Sequence, residues 1–311
     1  MSAQRVDRRG FITSYAHRGR LGHFVHKYDL IRAYIRTTRA LMRVCDFGTN
    51  IMRGLWRSLG LHNRFYVKFY MYPRTVDAEV ATMQLIRSCT SIPVPRVLFQ
   101  FSWLWTRYFI MERYPGVSLD EVILSLTTED TQRIQSQLRD YMQQLRGIPC
   151  SSPAVSSVIG GPIFCIRMIE REELSGPFYD QAHLHLQLRR GKPLEDFPES
   201  IQKLHNTTYP IVLTHNDFAA HNILVKHVPE VGWTVSAILD WETAGWLPGY
   251  WEYVKSKNQA SNAHYESQRL WNEAWLPRIL EPCDFEASAD EELGFFGYPK
   301  KHIGLSHFVP V

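Results

Sequence analysis

Apolar and polar positions along the chain fall into two kinds of block. Short alternating or continuous apolar runs bounded by turn residues predict strands, and apolar residues recurring every three or four positions predict helices. Residues 64–70 alternate with aromatic side chains and predict a strand with Lys68 at its centre. Residues 76–87 carry Val80, Met83 and Ile86 at helical spacing, and Glu79 lies within them. Two further strands are expected at 97–101 and 108–112, joined by a turn at 102–107, before Tyr114-Pro115-Gly116 breaks the pattern. From 118 to 147 the period is helical: Leu119, Val122 and Leu126 come first. Then Ile134, Leu138, Tyr141, Met142 and Leu145 mark a long amphipathic helix, stopped by Gly147 and Pro149. Residues 150–162, rich in Ser, Gly and Pro, read as a loop that is either a substrate-contacting insertion or a bare connector. Further on, Ile211, Val212 and Leu213 form one short buried strand and Ile223, Leu224 and Val225 another, with polar residues confined between them. A third strand, 235–239, delivers Asp240 at its end.

The polar residues held between those strands carry the chemistry. His215, Asp217 and Asn222 stand in the order His-x-Asp-x-x-x-x-Asn, and Asp240 follows a strand. A carboxylate beside an acceptor hydroxyl can orient it and take its proton, while an amide oxygen and a second carboxylate are hard ligands for magnesium against phosphates. Asp217 suits the first role, and Asn222 with Asp240 the second. The motif alone is weak; joined to flanking strands and the Ile-Leu-Asp-Trp that follows, it is strong. A strand lysine followed by a helix glutamate, Lys68 and then Glu79, adds a phosphate clamp and its orienter.

In these stretches the chain resembles the aminoglycoside phosphotransferase-like kinases, in their fungal branch of small-molecule kinase relatives. The matching segments are HNDFAAHNILV (215–225), ILDWETAGWLPGYWEYVK (238–255), TSIPVPRVL (90–98) and MERYPGVSLDEV (111–122), and the likeness runs over roughly residues 45–285. It implies an α+β, protein-kinase-like bilobal fold, with a small, mainly β N-lobe carrying a helix and a larger, mainly α C-lobe. It also implies ATP with magnesium as cofactors and transfer of the γ-phosphoryl group to a hydroxyl of a small molecule. Residues 1–44 are then an N-terminal extension, 45–113 the nucleotide-binding lobe and 114–311 the lobe with the catalytic loop and acceptor pocket. Backbone around Met111, Glu112 and Tyr114 would meet the adenine edge, with His215 and Glu242 in support. Two departures stand out. Trp241-Glu242 replaces the Phe-Gly of protein kinases, as is usual in the small-molecule branch. Asn216 stands where family members usually have glycine, and reads as a larger side chain beside the base. No G-x-G-x-x-G precedes Lys68; the nearby glycines are Gly48, Gly54 and Gly60. Asn216 and that missing loop motivate the alternative reading, a nucleotide-binding pseudokinase acting as a regulatory or binding module.

Composition narrows the partners. A chain of 311 residues with 45% apolar content can bury a sizeable core. Net charge +4, from 35 basic and 31 acidic residues, is too mild for a nucleic-acid binder and fits poorly with a strongly cationic substrate. Cys45, Cys89, Cys150, Cys165 and Cys283 are scattered without a C-x-x-C pair and read as reduced, mostly buried thiols. No run is long and apolar enough for a membrane span, so a soluble cytoplasmic protein is expected. The arginine-rich residues 1–44, with only Asp7 and Asp29 as acids, suit either a mitochondrial address or a basic tail leading into a helix at 30–42. His183 and His185 lack carboxylate or cysteine partners at ligand spacing and read as helix-surface residues. The aromatic stretch Trp246, Tyr250, Trp251, Tyr253, Trp271 and Trp275 reads mostly as core. Near it, Glu242 or Glu252 would be able to pair with a cationic substrate, and the chain after Asp290 is expected to be a docked or frayed tail.

Overall fold

The structure is a computed structural model that describes residues 63–70, 73–103, 106–165, 175–259 and 266–297. The expectations for the basic segment 1–44, for Gly48, Gly54 and Gly60, for Cys45 and for the last fourteen residues lie outside the described part.

Three strands, β1 (Phe65–Tyr70), β2 (Val97–Trp103) and β3 (Thr106–Glu112), form an antiparallel sheet in the order β1-β3-β2. Lys68 sits opposite Phe109, and Phe65 opposite Glu112. Helix α1 (Pro73–Cys89) packs against this sheet. Its buried face is Val76, Val80, Met83 and Ile86, the spacing that puts residues on one side of a helix, and Glu79 is drawn into the same environment. The helix stops where the Thr90 hydroxyl bonds back to the Ile86 carbonyl and the Pro93 and Pro95 rings make helical continuation impossible.

After β3 comes the two-residue β4 (Val117–Ser118), then α2 (Leu119–Val122) and the long α3 (Thr128–Arg146). Helix α3 starts where the Thr127 hydroxyl accepts the Asp130 amide and ends at Gly147. Its buried Ile134, Leu138, Met142 and Leu145 recur at the predicted interval. Helices α4 (Gln181–Leu188) and α5 (Glu199–Asn206) precede β5 (Ile211–Thr214), β6 (Ile223–Val228), β7 (Gly232–Ile238) and β8 (Gly245–Pro248). Strand β6 pairs with β4 and β7, and β5 with β8. Then follow α6 (Trp251–Gln259), α7 (Glu266–Leu270), a π turn (Trp271–Trp275), α8 (Leu276–Ile279) and α9 (Asp284–Gly297). The fold is thus α+β, with a small strand-rich part carrying one helix and a larger, mainly helical part, as in the protein-kinase-like arrangement. No described helix is long and apolar enough to cross a membrane.

One apolar cluster joins both parts: Val80, Met83, Ile86 and Phe109 belong to it together with Leu138, Ile223, Ile238, Trp241 and Trp275. A second gathers α4, α5 and α9 around Tyr250 and Trp251. The chain passes from the smaller part to the larger once, after β3, and β7 bonds both that passage and the loop between α1 and β2. The Ile238 amide donates to the Pro93 carbonyl at 2.9 Å, and the Ser236 hydroxyl to the Pro115 carbonyl at 2.6 Å.

Several expectations need correction here. His185 is not a surface residue: it is 1% exposed, with Nε2 2.8 Å from the Tyr250 hydroxyl and its ring stacked on His205. Burial and the neighbouring Arg189 lower its pKa to about 4, although the His205 carbonyl pulls the other way, so it is held neutral in the second cluster. The chain after Asp290 continues α9 to Gly297 instead of leaving as a tail. Of the four described cysteines, only Cys165 is buried. The 150–162 segment lacks helix, as expected, but its Ser156 bridges Trp246 of β8.

Gly116, in the passage between the parts, has φ +138, and a Cβ there would lie 2.5 Å from the Val225 carbonyl oxygen. Gly116→Ala is expected to destabilise the protein by more than about 2 kcal/mol, because both the backbone conformation and a rigid carbonyl oppose it. A denaturant midpoint unchanged from wild type would refute this account of the crossing.

Candidate active site

Strand pairing assembles the site. Pairing of Ile223 with Ile238 sets the residues flanking them side by side, and the Leu239 amide donates to the Asn222 carbonyl at 2.8 Å. The β5–β8 pair, Thr214 opposite Gly245, fixes the other end of the 215–222 loop. Asn222 and Asp240 therefore converge although a hairpin separates them in sequence. Asp240 is in the left-handed region with φ 64, immediately before the 3-10 turn Trp241–Thr243.

Lys68 arrives from β1. Its Nζ is 2.8 Å from Glu79 Oε1, 2.5 Å from Asp240 Oδ1 and 3.4 Å from Glu242 Oε2. Burial alone would favour the neutral amine, but the charges of Glu79, Asp240 and Glu242 outweigh it and hold Lys68 protonated well above the usual lysine range. Burial pushes the Glu79 pKa up, opposed by Lys68. In the loop, the Asn222 amide nitrogen donates to the Asp217 backbone oxygen at 2.9 Å and to its Oδ2 at 3.0 Å. With Nδ2 spent on Asp217, the Asn222 amide oxygen is the atom left for a cation. Among the described residues no three of His, Cys, Asp or Glu form a metal cage. Asn222 and Asp240 instead offer the sparse, hard oxygen set that suits magnesium completed by phosphates and water.

His215 lies behind the loop, fully buried. Its Nε2 is 2.8 Å from the Leu239 carbonyl and its Nδ1 accepts the Asp217 amide at 3.3 Å, which selects the neutral tautomer protonated on Nε2. Burial lowers its pKa in keeping with that arrangement. The sequence-predicted residues thus form two adjoining groups, Lys68-Glu79-Asp240-Glu242 and His215-Asp217-Asn222. Met111, Glu112 and Tyr114 stand apart, at the end of β3 and in the crossing. The Glu112 carboxylate pairs with Arg96, and its amide donates to the Arg96 carbonyl, as the Arg113 amide does to Arg64. Among the described residues the Tyr114 amide has no partner, so of these donors it is the one open to a ligand.

Sequence reasoning missed what holds the loop from beneath. Glu252 of α6 is 3% exposed, and its carboxylate accepts the His215 amide at 2.6 Å and the Asn216 amide at 3.0 Å. The expectation that Glu252 meets a cationic substrate is therefore corrected: it is a buried anchor. A charged residue in the apolar run Tyr250-Trp251-Glu252-Tyr253-Val254 was the available signal. Asn216 is also not beside the proposed base in the way expected. At φ 65, its side chain turns into the interior: Nδ2 donates to the Thr243 and Phe164 carbonyls at 2.9 and 3.3 Å, and Oδ1 accepts Trp251 Nε1 at 2.8 Å.

Burial raises the Glu252 pKa to about 7, opposed by the two amide donors and by Arg146 and Lys255. A carboxyl raised on folding binds more protons folded than unfolded between its two pKa values. Its contribution to stability is therefore full below the ordinary carboxylate pKa and is lost as pH rises through about 7. Glu252→Gln, which turns one acceptor into a donor facing an N–H, should cost about 1–3 kcal/mol. The gap between wild type and this variant should narrow from about pH 5 to about pH 8. Denaturation curves across that range test both points, and a gap independent of pH would refute the assignment.

Comparison with known proteins adds the family. A match of 36% identity over 76 residues links the chain to a subtelomeric hrmA-associated cluster protein of Aspergillus fumigatus, and the same match recurs in a second strain. It spans 23% of this chain and only 15% of that relative's length. Among solved structures, a thermostable mutant of aminoglycoside phosphotransferase APH(4)-Ia is similar at 14% identity over 75% of each chain, with TM-score 0.47. Aminoglycoside phosphotransferase APH(3'')-Id from Streptomyces rimosus, in complex with ADP and streptomycin, is similar at 13% identity over 76% of this chain and 88% of that one, with TM-score 0.43. The model of the APH phosphotransferase enzyme family matches residues 53–286, most of the chain and all of the site residues described above, and the chain belongs to that family.

Proposed function

We propose that this protein is a kinase that transfers the γ-phosphoryl group of ATP to a hydroxyl of a small molecule. The observation that carries the reading is Lys68 held at once by Glu79 and by Asp240, 172 residues further along the chain. A half-buried cation on β1 kept protonated between carboxylates from α1 and from just beyond β7 is a costly arrangement for structure alone, and suits a group that waits for phosphate oxygens.

In this reading Asp217, oriented by the Asn222 amide, accepts the proton of the acceptor hydroxyl. The acceptor oxygen forms its bond to the γ-phosphorus as the bond to the β,γ-bridging oxygen breaks, and ADP leaves. Lys68 exchanges its contact with Asp240 for the phosphates and keeps Glu79. Magnesium held by Asn222 and Asp240 would supply positive charge against the phosphate oxygens. The Tyr114 amide is the donor proposed for the adenine edge, with Met111 and Glu112 shaping the same wall. One motive for the pseudokinase alternative weakens, because the Asn216 side chain points into the interior.

Release of ADP, measured against a library of hydroxylated metabolites, tests the activity. Binding of magnesium-ATP with neither hydrolysis nor transfer would favour a binding module instead. Given turnover, Asp217→Asn should lower kcat by roughly 10²-fold or more with nucleotide affinity nearly intact; undiminished turnover would remove Asp217 from the role. Asp240→Ala should abolish most of the magnesium dependence of nucleotide binding, because the ion loses a charged ligand. Equal metal dependence in calorimetric titrations of both proteins would contradict the metal assignment.

A further inference from the structure

The backbone between His215 and Asp217 is left-handed, a conformation that glycine adopts freely and asparagine tolerates. Geometry alone therefore does not call for an asparagine. The side chain does something else: all three of its described hydrogen bonds go to different segments. Oδ1 receives Trp251 Nε1, at the start of α6. Nδ2 reaches the Thr243 carbonyl, three residues after Asp240, and the Phe164 carbonyl, just beyond the Ser- and Gly-rich loop. Its main chain is gripped as well, the amide by Glu252 and the carbonyl by buried Lys255 at 2.8 Å.

These bonds bear on how far Asp217 lies from Asp240. Contacts within the loop, such as Asn222 to Asp217, set its local shape. The distance to the Asp240 segment depends on links that cross to it. Two links meet Leu239, before Asp240: His215 Nε2 to its carbonyl, and its amide to the Asn222 carbonyl. The others run from Asn216 Nδ2 to the Thr243 carbonyl and from Thr243 Oγ1 to the His215 carbonyl, after it. Asp240 is thus bracketed by ties from the two residues that precede Asp217. We propose that Asn216 is a positioning residue for phosphoryl transfer: acting through Asp217, it fixes the base relative to Asp240 and ties both to the Phe164 segment. This rests on the kinase reading of the same site and adds to it a second layer of residues, Thr243, Trp251 and Phe164, joined by one amide.

A glycine at 216 would keep the backbone and leave the Trp251 indole N–H and two carbonyls in the interior without this partner. An aspartate would keep the acceptor for Trp251 but set an oxygen against two carbonyl oxygens. The experiment compares wild type, Asn216→Gly and Asn216→Asp by steady-state kinetics, thermal melting and amide hydrogen exchange of peptides covering 213–218 and 239–244. For Asn216→Gly, kcat should fall by about 10- to 100-fold, the scale expected when a reacting group is misplaced by an ångström or less. KM for ATP should stay within about threefold. Exchange should quicken in both peptides, and Asn216→Asp should lose at least as much turnover. A lower melting temperature with kcat retained would overturn the proposal, leaving Asn216 a purely structural residue. An equal rise of KM for ATP with no loss of kcat would overturn it too. If wild type transfers phosphate to no acceptor, the kinase reading fails by itself; exchange then still decides the tether, since unchanged exchange in Asn216→Gly refutes it. Should Asn216→Asp not fold, Asn216→Gly carries the test alone.

Discussion

A buried carboxylate, Glu252, is the constraint on which the rest of the site depends. It binds the amides of His215 and Asn216, the two residues before the proposed base, at 2.6 and 3.0 Å. Removing a carboxylate from water is costly unless hydrogen bonds replace the lost hydration. Here two backbone donors that would otherwise be orphaned inside the protein meet that need, so loop and helix satisfy each other. Lys255, on the same helix one turn later, takes the Asn216 carbonyl and completes the grip. The loop gets its shape from a helix that lies beneath the site and touches none of the groups proposed to meet substrate.

The polar layer above is organised by mismatch of charge. Lys68 faces three carboxylates, Glu79, Asp240 and Glu242, so this group carries more negative than positive charge. Such an excess repels bare phosphate and attracts divalent cations, in keeping with the proposal that nucleotide and metal would bind together. The neutral tautomer of His215 follows from the same economy: an imidazolium there would need solvent that burial denies it.

The parts of this architecture that were legible in the sequence are those with a local period or a local motif. The strand with Lys68, the helix with Glu79 and the long α3 announced themselves through spacing, as did the loop between two apolar triplets. The residues that were misread are those whose role depends on what another segment brings to them. His185 looked like a surface residue because its own helix gives no hint that Tyr250 and His205 cover it. Glu252 looked like a pocket acid because only the folded loop supplies its two amides. Asn216 was noticed as a departure, but the direction of its side chain depends on Thr243, Phe164 and Trp251, which no local pattern relates. Periodicity reports which face of an element is apolar; it cannot report which polar partners meet across an interior.

The two bonds that β7 makes toward the smaller part and the passage after it have a mechanical meaning. Both end on proline carbonyls, Pro93 and Pro115, and both are held by donors from one strand, Ser236 and Ile238, two residues apart. If the three-stranded sheet were to rock with these bonds kept, the short line joining them would be its axis. Neighbouring pins on a single strand act as a door hinge, allowing swing and resisting slide. Lys68 would then travel toward or away from Asp240 along an arc.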